Sequence, residues 1–586
     1  MPQQLNATEP RRTTLRGSSS GGLGVTLKPD AKAASAADEV RCEISRTHDR
    51  FCRLLKLAED RTAAGDLRGA AALAQVAARL AYPANTGLFG SSRLERLLLT
   101  IGKSIPSESP DRFNARESDV RKVLHVLSYA KPVGGDTRFV WRWMQLDQAS
   151  CHSAAITSQM DLDGREDVPE SLSKAASDSG GFTKILTAPT TNPIEQAREL
   201  RALCRSMDIV VLHVYPYDIV PILALAVDCG NTKILFCHQS DHTFWVGGSV
   251  SHRVINLRSQ PDGFLESKRG LDSKLVSVLP IPLPSVSAAM PRSEAKRALG
   301  YAEDDVLLLT IASPFKYSAP GHVGFLELVT DAIANHPQAH LIAIGPDPKN
   351  EAWRAAASRT DGRMVALGRR WDTALYYAAA DAYLDSVPFS SSTSLLEAGS
   401  HGAPLLGYQH QSPDLRLMGP GAPGLDGAMI VAEGAAAYRD SLSQLLTDQG
   451  LRHALGNIVR EQIRSRHTGV GWSQALERVY EDANQTSERA CLSPSDQAAD
   501  ARELSDALFR LYPTMKYRKL VAEYVGALPD RSRFATNRGL LQEGLPISGL
   551  SLLPGPIGPR LRQYRRWALR TWGKAKAAVP TSKGGV

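Results

Sequence analysis

The chain has 586 residues, 43% of them hydrophobic and 22% charged, with a formal net charge of +8. That length calls for two or three domains with substantial cores, and no apolar run nears the roughly 18 residues that a membrane span needs. Seven scattered cysteines form no CxxC pair, and the N-terminus has no apolar stretch of signal-peptide type, so reduced thiols in a cytoplasmic protein are expected.

Residues 1–36 are rich in Ser, Gly, Ala, Thr and Arg and poor in large apolar side chains, the composition of a disordered segment. From 37 to 117 the pattern turns helical. Two amphipathic stretches, Leu54 to Ala58 and Ala70 to Leu80, flank Gly65-Asp66 and predict an antiparallel hairpin. It resembles one tetratricopeptide-type unit, without further copies, and fits an interaction module or a helical cap.

Residues 118–290 alternate between strand-like and helix-like stretches. Strands are expected at 123–128, 154–157, 209–213, 233–237 and 275–278, with helices at 193–207 and 220–228. A proline-rich segment, 280–291, separates this part from a second alternating part, 291–486. There the expected strands are 306–311, 341–344, 364–367, 382–384 and 404–406, and the helices 323–335, 351–358 and 374–380. Apolar strands alternating with helices predict parallel sheets covered on both faces, hence an α/β fold of two doubly wound, Rossmann-like domains. Residues 487–586 form a helical and basic extension.

The segment 381–404, DAYLDSVPFSSSTSLLEAGSHGAP, carries the strongest functional pattern. A short apolar run ends in Ser390-Ser391-Ser392-Thr393, and a helical stretch follows with one acid, Glu397. Unpaired amides and the positive dipole end at a helix N-terminus favour a phosphate. A carboxylate one turn on can accept from a ribose. The same residues fit a capping box of Ser394 with Glu397. Upstream, Lys316 follows the strand 306–311, where an ammonium can reach a diphosphate. In the first unit, His238-Gln239-Ser240-Asp241-His242 follows a strand and offers a base near neutral pH. A zinc reading of His238 and His242 lacks the HExxH glutamate, so no metal is assigned. Gly134-Gly135 marks a glycine turn at a helix start, and His213 reads as structural.

These elements resemble glycosyltransferases of the GT-B fold over residues 120–485. The matching pieces are 313–316 after a strand, Gly345-Pro346, Gly368-Arg369 and 381–404, the last being particularly similar to the O-GlcNAc-transferase type within the glycosyltransferase group 1 superfamily. The resemblance implies a metal-independent transfer, without a cofactor, from a nucleotide-diphosphate sugar to a hydroxyl of a glycan, lipid-linked or protein acceptor. It gives donor-binding roles to Lys316, Ser391, Ser392, Thr393 and Glu397, and the catalytic base to His238 or His242. It also implies that the helix bearing Trp472 and Tyr480 crosses back to the first domain. One departure stands out: Phe389 occupies the position where the retaining branch places a second glutamate, which leans toward an inverting enzyme. An epimerase of nucleotide sugars and a degenerate, non-catalytic scaffold are the alternatives.

The charge excess is local. Arg560, Arg562, Arg565, Arg566, Arg570, Lys574, Lys576 and Lys583 equal the whole net charge, with no acid among them. A nucleic-acid partner would call for a basic patch on a folded domain, so none is expected. With Leu561, Tyr564, Ala568 and Trp572 at helical spacing, the tail fits peripheral contact with an anionic membrane surface at its cytoplasmic face.

Overall fold

The computed structural model describes residues 31–106, 120–132, 134–159, 167–186, 193–259, 264–285, 290–318, 322–490, 492, 502–512 and 516–547. The basic tail at 560–586 and its proposed membrane contact lie outside them. Among the described residues, no helix is long and apolar enough to cross a membrane.

Three helices come first: α1 (Ala31–Ala63), α2 (Leu67–Ala81) and α3 (Ser92–Lys103). The expected hairpin forms between α1 and α2. Gly65 turns the chain at φ +74°, a conformation that favours glycine, and Asp66 caps α2 by accepting the Gly69 N–H at 3.0 Å. Ala70, Ala71, Ala74, Ala77 and Ala78 are fully buried, which lets the neighbouring helices approach closely. Helix α1 starts at Ala31, inside the stretch expected to be disordered.

The first α/β unit runs β1 (Arg121–Leu127), α4 (Gly135–Leu146), β2 (Ser150–Ile156), α5 (Glu170–Asp178), β3 (Thr183–Ile185), α6 (Pro193–Cys204), β4 (Ile209–His213), α7 (Val220–Leu225), β5 (Lys233–His238), β6 (Arg253–Asn256) and β7 (Val276–Val278). Its seven strands are all parallel, in the order β3-β2-β1-β4-β5-β6-β7. The second unit runs α8 (Arg292–Ala298), β8 (Val306–Ile311), α9 (Phe325–Ala334), β9 (Ala339–Ile344), α10 (Glu351–Arg359), β10 (Met364–Ala366), α11 (Ala374–Ala379), β11 (Ala382–Leu384), α12 (Ser392–Ser400), β12 (Leu405–Gln409), β13 (Ile430–Glu433), α13 (Ala435–Thr447), α14 (Gln449–His467) and α15 (Gly469–Gln485). Its six strands are also parallel, in the order β10-β9-β8-β11-β12-β13. Both sheets are doubly wound, as the alternating pattern predicts. Their order reverses between β1 and β4 and between β8 and β11, the points beyond which such sheets bind ligands.

Helix α15 ties the units together. Buried Trp472 meets Trp143 of α4 edge-on at 5.9 Å and donates to the Pro280 carbonyl at 2.7 Å. The Tyr480 hydroxyl accepts from Trp143 Nε1 at 3.1 Å and donates to Asp147 at 3.0 Å. The crossing implied by the resemblance is present.

Helices α16 (Arg502–Leu511), α17 (Tyr517–Tyr524) and α18 (Asp530–Gln542) return to the start of the chain. They pack on α1 and α2, with Ser532 donating to Asp66 at 2.7 Å and Lys56 paired to Glu543 at 2.7 Å. The two ends of the chain thus build one helical layer against the first sheet.

Candidate functional site

The donor side is built at the reversal point of the second sheet. After β8 a short 3-10 turn, Pro314–Tyr317, presents Lys316. After β11 the chain turns through Asp385, whose Oδ1 accepts the amides of Ser386 and Ser391, both at 2.9 Å. The Ser390 amide donates to Met418 O at 2.8 Å. These bonds fix the loop that delivers α12. The helix starts at Ser392 behind Ser391, with no side chain capping it, so its first amides are available to an anion. Ser394 therefore lies inside the first turn, and the capping box with Glu397 is not made. Ser391, Ser392 and Thr393 are half-buried at this end.

Lys316 points into the same loop. Its ammonium donates to the Ser390 carbonyl at 2.6 Å and lies 4.7 Å over the Phe389 ring. The residue as a whole is half-buried; the ammonium is its enclosed end. Burial pushes its pKa down from 10.5 to about 8, against the pull of Asp385. Asp385 itself is buried, and burial raises its pKa. The position of this carboxylate beneath the loop was not singled out from the sequence.

Glu397 is largely taken up by partners within the protein. Its Oε1 accepts from Arg138 at 2.9 Å and Arg142 at 2.8 Å, both on α4 of the first unit, and Oε2 accepts from the Tyr377 hydroxyl at 3.0 Å. Burial pushes this carboxyl up, but the two guanidinium groups outweigh it and hold the pKa below its ordinary value. The residue expected to hold a ribose is thus a bridge between the units, keeping one acceptor site of about four. Close by, the uncapped start of α4 meets the loop, because a Cβ on Gly135 would stand 3.2 Å from Thr393 Oγ1. Two helix N-termini converge there.

The two candidate bases part company. His238 ends β5 and is buried against Trp245 at 5.0 Å. The Asn256 side chain lies near enough to favour its charged form, yet neither ring nitrogen has a partner of hydrogen-bonding geometry. Burial, with Arg269 adding to it, pushes its pKa well down. His242 instead faces the second unit, with its ring 4.7 Å from Phe389. Asp241 Oδ1 stands 3.5 Å from its Nδ1, and Arg258 grips Asp241 with two bonds of 2.6 and 2.8 Å. Arg258 also donates to the Gly419 carbonyl at 2.6 Å and to Leu417 O, across the cleft. Burial lowers the His242 pKa and Asp241 opposes this, so the ring is neutral near pH 7. His242 Nε2 lies 3.1 Å from the Tyr512 hydroxyl, which follows α16. The structure therefore brings His242, Phe389, Lys316 and the start of α12 together, and leaves His238 in the first unit.

Three further histidines form a chain across the first sheet. Gln239 Nε2 is 3.3 Å from His213 Nδ1, His213 Nε2 is 2.9 Å from His125 Nδ1, and His125 Nε2 is 3.0 Å from His152 Nδ1. His152 Nε2 ends the row 3.0 Å from the Asp147 carbonyl and 3.4 Å from its carboxylate. A neutral imidazole has one donor and one acceptor. With all three imidazoles neutral, the amide donor at one end and the oxygen acceptors at the other set one order: Gln239 donates to His213, His213 to His125, His125 to His152, and His152 to Asp147. Burial holds His213 down to about 3, and His125 well below its ordinary value.

Comparison with known proteins adds architecture alone. No family model matches, and no curated protein matches. Among solved structures, a glycosyltransferase from Rickettsia africae is 12% identical, covering 63% of this chain and 100% of its own, with a TM-score of 0.47. HepE from Anabaena in complex with UDP and glucose is 12% identical over 62% of this chain and 99% of its own, with a TM-score of 0.45. A mutant O-GlcNAc transferase from Thermobaculum terrenum is 17% identical over 77% and 88%, with a TM-score of 0.44. The chain's own two parallel sheets, with facing carboxyl ends and a returning α15, have the GT-B arrangement. Likeness at these scores leaves the reaction to the residues.

Proposed function

We propose that the protein is a glycosyltransferase that moves a sugar from a nucleotide-diphosphate sugar to an acceptor hydroxyl without a metal. The observation that carries this reading is the convergence of the uncapped start of α12, Lys316 and the start of α4 opposite His242. The diphosphate would lie on the α12 amides and the hydroxyls of Ser391, Ser392 and Thr393, with Lys316 turned from the Ser390 carbonyl toward it. The last acceptor site of Glu397 would take a ribose hydroxyl. His242, neutral and backed by Asp241, would remove the acceptor proton. The acceptor oxygen would bond to the anomeric carbon as its bond to phosphate breaks, and the nucleoside diphosphate would leave with that electron pair. Charge arranged in advance at the departing phosphate is commonly the largest catalytic contribution. His238 is the second candidate, favoured by its unpartnered nitrogens.

Lys316 gives the decisive test. A charge-assisted bond is worth about 1.5–3 kcal/mol, so Lys316→Ala should weaken donor binding roughly 10- to 100-fold. Titration calorimetry with UDP-, GDP- and ADP-sugars measures it. Affinity in the unaltered protein should be flat below pH 8 and fall above it. The free ammonium deprotonates near that pH, whereas a bound diphosphate keeps it charged. No saturable binding of any sugar nucleotide would turn the reading toward a scaffold. Because the chain supplies the cations, transfer should persist in excess EDTA.

A further inference from the structure

Helix α16 is seated across the cleft. Leu504, Ala507 and Leu508 are fully buried, and Leu511 nearly so. They pack into one apolar cluster with Ala84 and Phe89 of the helical layer, Phe264 of the first unit, and Phe389, Leu415 and Met418 of the second. The chain then places Tyr512 with its ring 5.4 Å from Phe315 and 6.1 Å from Tyr82, nearly parallel to His242 at 6.2 Å. Its hydroxyl meets His242 Nε2 at 3.1 Å.

That contact has a chemical meaning. His242 Nδ1 faces Asp241, which leaves Nε2 as the nitrogen that can take a proton. The group on Nε2 is a hydroxyl, the group an acceptor must offer a base. The ring carrying it is walled by Phe315, Tyr82 and His242, beside Phe389 and the Lys316 loop.

We propose that the seat of Tyr512 is the acceptor subsite, and that α16 holds it closed as an intramolecular pseudo-acceptor. The site would take a hydroxyl borne on a ring with a flat apolar face, which such aromatic walls favour. This rests on the transferase reading above. The start of α12 carries no side-chain cap while the seat is filled, so α16 would block the second substrate and not the first.

The test uses the full chain and UDP-glucose, GDP-mannose and ADP-glucose, each followed by calorimetry and by release of nucleoside diphosphate with water as acceptor. Tyr512→Ala empties the seat, and Leu508→Asp loosens α16 without touching His242. Both should release nucleotide about tenfold faster than the unaltered protein, with donor affinity within about twofold. Tyr512→Phe keeps the ring in the seat and should stay slow. Adding His242→Ala to Tyr512→Ala should abolish the gain. Normal donor binding with no acceleration in either opening variant overturns the pseudo-acceptor and leaves the transferase reading standing. Failure of every form to bind any donor overturns both. A hexose found covalently on Tyr512 of the unaltered protein would make that tyrosine a true acceptor and likewise overturn the proposal.

Discussion

Glu397→Ala should destabilise the protein by about 3–5 kcal/mol, the usual cost of removing one partner from a buried ion pair. Arg142 is 8% exposed and its second amino group is aimed at Glu397 Oε1. Without the carboxylate, its charge stays buried with a long contact to the Pro282 carbonyl, at 3.5 Å, and the Trp141 ring centre 5.4 Å from its guanidinium carbon. The Tyr377 hydroxyl loses its acceptor as well. Because Arg138 and Arg142 stand on α4, the loss falls on the contact between the units. It should appear as a lower urea midpoint and as faster proteolysis of the cleft segments. The pairing can be isolated: in Glu397→Ala with Arg142→Met, the stranded charge is gone, and much of the stability should return. If the two substitutions instead add, the carboxylate is not holding the arginine, and the bridge has no energetic content. The same variant should bind donor weakly. Arg142→Met alone, which spares the carboxylate, separates the ribose role from the bridging role.

The fold was legible because most of its strands are apolar runs set between helical stretches. Residues 306–311 and 209–213 read as buried strands and are β8 and β4, since a run of branched side chains with no polar alternation fits a sheet covered on both faces. Strands β3, β6 and β13 escaped, because Thr-Lys-Ile, Arg-Val-Ile-Asn and Ile-Val-Ala-Glu are short and carry charge. Lys316 and the serine loop were legible for a local reason: each follows a strand within a few residues. The partners of Glu397 were not, because Arg138 and Arg142 lie 259 and 255 positions away. Tyr512 is 270 positions from His242 and belongs to a helix outside the recognisable pattern. The histidine chain was hidden for a different reason. His125, His152 and His213 are each a single polar residue in an apolar strand. Only the register of β2, β1 and β4, which sets His152 beside Val123 and His213 beside Leu127, draws them into a diagonal row.

That row carries the second large prediction. His125→Leu keeps approximate volume but removes the middle of the chain. The His213 N–H loses its acceptor and the His152 Nδ1 its donor, both in places that water does not reach, since His152 is fully buried and His213 is 5% exposed. Each stranded group costs about 1–3 kcal/mol, so roughly 2–6 kcal/mol should be lost at pH 7.5. The direction of the pH effect follows from the folded values. His213 titrates near 3 in the folded protein against an ordinary 6.5, and His125 is also held down. Between those values the unfolded chain binds protons that the folded one refuses. Stability is therefore complete above about pH 6.5 and drains as the pH falls toward 3, by up to about 1.4 kcal/mol per pH unit for each such histidine. Urea unfolding at pH 7.5 and pH 5 measures the loss. The His125→Leu variant, with one fewer refused proton, should lose less between the two than the unaltered chain. Equal losses would mean that His125 is already charged in the fold, and the proton order from Gln239 to Asp147 would have to be redrawn. A chain ordered this way has no free donor or acceptor along its length. Its last histidine holds Asp147, which also receives Tyr480 of α15, so the row fixes the returning helix to the first sheet at the place where the two units meet.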